Sequence, residues 1–228
     1  MPLSASPIWI SIQTSVVATV ITFCLGLAAA MWRMNSPGKR GQVLDGLFLV
    51  PLVLPPTVVG YLLLLLLGRT SPLGREIQEL GFNVLFTWPA TVIAATVVAF
   101  PLMYLTARGA FEQISLSYVQ AARTLGAREW TVFWRVILPL AWPGVLAGTV
   151  LSFARALGEF GATLMIAGNI PGRTQTLPIA IFFAAEAGDM RQALVWVLIT
   201  LGVASVAIVA FNTWGRRNAA PGLLRGGS

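Results

Sequence analysis

Arg155 and Glu159 stand four residues apart in a stretch otherwise free of charge, the spacing at which two side chains on one helix face meet. A cation and a carboxylate paired in apolar surroundings reduce each other's burial cost. Such a pair either fixes a helix turn at the end of a membrane span or offers polar groups to a route through it. Other polar side chains within the apolar runs, candidates by polarity alone, are Ser152, Thr163 and Asn169 around the pair, and Thr57 behind Pro55 and Pro56. These six side chains and the two prolines are candidates for a translocation pathway. No cluster of lysines or arginines stands within the apolar runs.

Other chemistry is excluded by what the chain lacks. It has no histidine and a single cysteine, Cys24, so neither histidine-based nucleophilic catalysis nor a Cys/His metal site can be built. No Gly-x-x-x-x-Gly-Lys-Ser/Thr loop is present, so ATP is not expected to bind here in the P-loop manner. No cofactor is expected in this chain.

A second concentration of polar residues runs from Ser117 to Pro139 and holds Arg123, Arg128, Glu129 and Arg135 between long apolar runs. It reads as two short helices with a break. Ser117 and Gln120 have the spacing of a capping box, Ala121 and Ala122 are good helix formers, and Gly126 suits the left-handed residue that ends a helix. Pro139 fits the first turn of a following membrane helix.

The elements around these residues are apolar. Hydrophobic residues make up 57% of the 228 and charged ones 10%, proportions of an all-α membrane protein and not of a soluble one. Spans are expected at about 8–32, 46–68, 84–107, 136–157 and 192–215, each long enough to cross a bilayer. Pro51, Pro55 and Pro56 should kink or interrupt the second. The run at 179–187 is too short to span, and an additional re-entrant or sixth helix around 157–187 stays open. Gly144 and Gly148 have a spacing that allows close helix contact. Ten basic residues fall in the loop after the first span, the segment 108–135 and the C-terminal tail, against four in the intervening connections. The positive-inside rule then puts the N-terminus outside and the C-terminus and 108–135 in the cytoplasm. The basic charge reflects this distribution and not a nucleic-acid surface; the expected environment is membrane lipid.

The stretch at 117–139 resembles the cytoplasmic "EAA" loop of ABC importer permeases, with Gln120-Ala121-Ala122, Gly126 and Val136-Ile137-Leu138-Pro139 at the motif's spacings and glutamine where glutamate is usual. The segment from Phe153 to Pro178 and the run Pro51 to Tyr61 are similar to stretches of molybdate permeases, and sulfate and tungstate permeases share parts of both. The resemblance covers about residues 8–214. It implies a type I ABC importer permease fold, a single permease domain over 1–228, and a location in the inner membrane. It also implies an oxyanion route, most simply for molybdate, with sulfate or tungstate as alternatives. Partners implied are a second copy of the permease, two ATPase subunits that bind and hydrolyse ATP, and an extracytoplasmic oxyanion-binding protein. Ser117, Gln120, Ala121, Ala122 and Gly126 then become the residues that couple to the ATPase. An ion-coupled secondary transporter or a membrane enzyme could share the hydropathy. The first would rest on Glu159 alone, and the second lacks a catalytic cluster.

Overall fold

A computed structural model describes residues 5–34, 36 and 38–218. Of the basic tail expected after 215, Arg216 and Arg217 fall within the last helix and the part beyond 218 lies outside the described residues. All regular structure among the described residues is helical.

The first helix, α1 (Ser6–Met34), is built inside out. Its buried stripe holds Ser11, Thr14, Ser15, Ala18, Thr22 and Gly26, while Trp9, Val16, Val20 and Leu25 point outward. In lipid the apolar side chains need no burial, and small or hydroxyl residues let helices approach closely. The hydroxyls are satisfied locally: Ser15 donates to the Ser11 carbonyl at 2.7 Å and Thr22 to that of Ala18 at 2.6 Å. Thr14 instead reaches Thr91 across the interface at 2.9 Å.

The partner in that contact is α5 (Trp88–Glu112), on which α1, α2, α8 and α9 all pack. Its buried face carries Ala90, Ala94, Ala95, Ala99 and Ala107, small enough for four neighbours. Pro89 at its first turn sets its start, four residues later than expected, and it continues to Glu112 because Arg108 pairs with Glu112 one turn on at 2.7 Å. The expected third span therefore shifts from 84–107 to 88–112, and Arg108 belongs to the helix, not the loop.

The second expected span is two helices, α2 (Lys39–Val53) and α3 (Pro56–Leu67), bent by 113° at Leu54-Pro55. Pro51 sits inside α2 and removes one of its hydrogen bonds, and Pro56 cannot continue the preceding helix. A short helix, α4 (Pro72–Glu79), leads to α5, and α6 (Leu116–Thr124) follows it at the other end.

After α6 come α7 (Glu129–Val132), a π-helical turn at Phe133–Ile137 and α8 (Leu138–Leu157), which run on as one stretch, Glu129–Leu157. The span expected at 136–157 thus begins seven residues earlier. Pro139 lies in the first turn of α8, directly after the π turn, where the widened backbone absorbs a ring that would strike the carbonyl four residues back. Gly144 faces Ala110, and Gly148 faces Thr106 so closely that an added Cβ would lie 2.1 Å from its hydroxyl. That pair sets the α5–α8 approach.

The region left open between Leu157 and Ala187 holds two short helices, α9 (Gly161–Ala167) and α10 (Leu177–Glu186). Ser11 of α1 accepts the Leu177 N–H at 2.7 Å, so α10 starts against the side of α1, one and a half turns inside it. The last helix, α11 (Met190–Asn218), is apolar over Met190–Phe211 and little of that stretch is buried within the chain. Among the described residues four helices are long and apolar enough to cross a membrane, and five if the bent α2–α3 pair is one span.

Candidate functional site: a surface helix and two facing breaks

The helix α6 shows a partner most of its surface. Only Val119 is buried, packing with Phe111, Phe133 and Ile137, and Ala122 is half-buried beside it. Leu116, Tyr118, Gln120, Ala121 and Leu125 are exposed. Ala121 and Ala122, adjacent in the motif and about 100° apart around the helix, therefore differ: the first is exposed, the second half-buried against the body of the chain.

The capping box expected of Ser117 and Gln120 is not formed. The N-cap is Ser115, whose hydroxyl accepts the Ser117 N–H at 3.4 Å and donates to the Ser117 hydroxyl at 3.2 Å. With the helix beginning two residues early, the returning arm would have to come from Tyr118, and Gln120 lies in the second turn, out of reach. The other end is as expected. Gly126 has φ +80°, and the N–H groups of Gly126 and Ala127 reach the carbonyls of Arg123 and Ala122 at 2.9 and 3.1 Å, closing α6 in a Schellman motif. Arg123 then bridges the break, gripping both carboxylate oxygens of Glu129 at 2.8 and 3.0 Å. That hydrogen-bonded carboxylate raises the Arg123 guanidinium above its usual pKa.

A cluster the sequence reading used only as a boundary anchors this end of the bundle. Asp45 of α2 is buried and accepts from Arg33 of α1 at 2.9 Å, Arg108 of α5 at 2.8 Å and the Tyr104 hydroxyl. One carboxylate thus ties three helices. Its signal was legible: a lone acid opening an uncharged run, directly after a basic loop.

The pathway candidates divide into two groups. Pro55, Pro56 and Thr57 start α3, and Arg155 and Glu159 end α8. The structure brings these two interruptions together, because α3 packs on α9. A Cβ on Gly161 would lie 3.1 Å from the Thr57 nitrogen, and one on Gly60 2.7 Å from the Ala162 Cα, so only glycine admits this approach. Irregular backbone inside a membrane protein survives against protein or a water-filled cavity. Here the α8–α9 break packs on the start of α3, while the α2–α3 break keeps an exposed side. Glu159 is 2% exposed; it pairs with Arg155 at 2.7 Å and its other oxygen accepts the Ala162 N–H at 2.8 Å. Thr57 and Pro55 are exposed beside this junction. Ser152 and Thr163 are not: both are fully buried within the chain, Ser152 donating to the Ala99 carbonyl at 3.5 Å. Asn169 lies farther along, its carbonyl oxygen accepting from Gln175 across the turn at 2.9 Å. Among the described residues no group of histidine, cysteine or acidic side chains could hold a metal ion.

The chain is thus a bundle of apolar helices with two interruptions packed against each other and an exposed helix, α6, at one end. The chain belongs to the family described as binding-protein-dependent transport system inner membrane component, whose profile matches residues 22–223. It is 46% identical over 194 residues to the putative molybdenum transport system permease protein YvgM of Bacillus subtilis, covering 85% of this chain and 86% of that one. It is 41% identical to the molybdenum transport system permease protein ModB of Escherichia coli K12, covering 84% and 86%. The probable sulfate transport system permease protein cysT of Chlorokybus atmophyticus is 31% identical, covering 92% and 74%. In fold the chain matches an inward-facing MetNI methionine ABC transporter with a TM-score of 0.71, at 16% identity, over 94% of this chain and 95% of that one. It also matches a bacterial ABC transporter that imports alginate, with a TM-score of 0.77, over 93% and 78%.

Proposed function

We propose that this chain is the transmembrane subunit of an ATP-driven ABC importer for molybdate. Two copies would form the passage, two ATPase subunits would hydrolyse ATP, and an extracytoplasmic binding protein would deliver the anion. The observation that carries the substrate is identity: 46% and 41% over most of both chains to proteins named as molybdenum permeases, against 31% to one named for sulfate.

In this reading α6 is the coupling element. Gln120 and Ala121 on its outer face, with Leu116 and Leu125 at its ends, meet the ATPase, while Val119 and Ala122 transmit its movement to Phe111 and Phe133. Ser117 lies at the helix start, and Gly126 lets the chain turn back without lengthening the helix. The basic asymmetry favours an N-terminus outside and α6 in the cytoplasm. The α3–α9 junction is the region of the pathway wall, with Thr57 as an exposed donor and Arg155 held by Glu159. A dianion there meets hydrogen-bond donors and a cation already neutralised, which permits passage without tight capture.

Cells lacking their own molybdate permease, supplied with this chain and its ATPase and binding protein, should accumulate labelled molybdate. Accumulation no greater than in cells supplied without the chain would overturn the proposal.

A further inference from the structure

The amphipathic helix α4, Pro72–Glu79, joins the end of α3 to the start of α5, at the end of α5 opposite α6. Its start is pinned. Ser71 accepts the Gly74 N–H at 2.8 Å and donates to the Gly68 carbonyl at 3.0 Å, and a Cβ on Gly74 would lie 2.1 Å from that same carbonyl oxygen. The helix is therefore folded back on the end of α3 and is not a free arm.

At helical spacing its side chains fall into three sectors. Gly74 is buried and Ile77 and Gln78 are half-buried on the side toward the protein. Arg75, Glu76 and Glu79 are exposed on one flank. Leu73 and Leu80 occupy the other, 42% and 74% exposed, and Phe82 just beyond is 68% exposed. The preceding helix α3 is apolar throughout, and its Leu62, Leu65 and Leu66 are exposed as well.

We propose that α4 lies in the membrane interface, with Leu73, Leu80 and Phe82 inserted among lipid acyl chains and Arg75, Glu76 and Glu79 in water. A helix charged on one flank and apolar on the other is stable where hydrocarbon and water meet. The helix sits between the end of the α2–α3 pair and the start of α5, each long and apolar enough to cross a membrane, so its apolar flank lies at the level where spans leave the hydrocarbon. A protein arriving from the aqueous side would meet the charged flank first. The helix then fixes the outer end of the bent α2–α3 pair at one depth in the bilayer.

The test uses spin labels at Leu73→Cys, Leu80→Cys and Glu76→Cys, one at a time, on a Cys24→Ala background, since Cys24 is the one cysteine of the chain. The transporter is reconstituted with its ATPase and binding protein in liposomes, and collisions with oxygen and with a water-soluble nickel chelate are compared. Labels at 73 and 80 should favour oxygen several-fold over nickel, and the label at 76 should show the reverse. Nickel access at 73 and 80 equal to that at 76 would put the flank in water. Shielding from both reagents would put it against protein, a second copy or the binding protein. Either result overturns the proposal.

Discussion

Gln120 is exposed in the second turn of α6, so its worth lies in what it touches outside the chain and not in starting the helix. Gln120→Ala should change the stability of the purified chain by no more than about 0.5 kcal/mol, as for other surface substitutions. Ser115→Ala should cost about 0.5–2 kcal/mol of helix stability, the range for a lost cap. Hydrogen exchange over residues 116–124 reads both, and faster exchange in the glutamine variant than in the serine variant would restore the capping box. Gly126 was legible from sequence, because a glycine after a helical run has few other uses. The N-cap was not, because Ser115 and Ser117 are both competent and spacing to Gln120 favoured the wrong one. Tertiary packing decided: Val119 must face Phe111 and Phe133, which fixes the helix phase and with it the first turn.

Among the elements, α2 depends most on a single side chain. It packs chiefly on α5, and Asp45 ties it there and to α1. Removing Asp45 takes a charged partner from Arg33 and Arg108, and although Arg108 keeps Glu112 and Arg33 keeps the Ser36 carbonyl, the loss costs about 1–3 kcal/mol. Asp45→Ala should therefore lower the thermal midpoint in detergent markedly, while Lys39→Ala, on an exposed residue of the same helix, should not. Equal midpoints would remove Asp45 from its anchoring role. The α3–α9 crossing makes a second demand. Gly60→Val should block transport with insertion intact, because the side chain would collide with the Ala162 backbone; normal uptake would show that the crossing relaxes. Three prolines announced the interruption of the second span and the i,i+4 spacing announced the Arg155–Glu159 pair. That the two interruptions face each other was beyond a one-dimensional reading, since residues about a hundred positions apart meet only through the fold. Ser152 and Thr163 were chosen for polarity, and polarity alone does not tell a hydroxyl facing a route from one buried between packed helices, where both lie in this chain.

For the whole molecule, hydropathy located the membrane segments well but missed their ends by several residues. The helices at Glu112 and Glu129 run past the apolar stretch on charges and aromatic residues that hydropathy counts as loop. Orientation rests on charge. A reporter fused after Arg128 should behave as cytoplasmic and one near Arg75 as extracytoplasmic, and the opposite pattern would invert the assignment of α6. The central claim is that this bundle passes molybdate when a partner hydrolyses ATP. The most direct measurement is uptake of labelled molybdate into proteoliposomes holding the permease and its ATPase, with ATP supplied on the α6 side and loaded binding protein on the other. Uptake should require ATP and the binding protein, and excess sulfate should compete weakly. Uptake that proceeds without ATP, or that sulfate abolishes at equal concentration, would contradict the account.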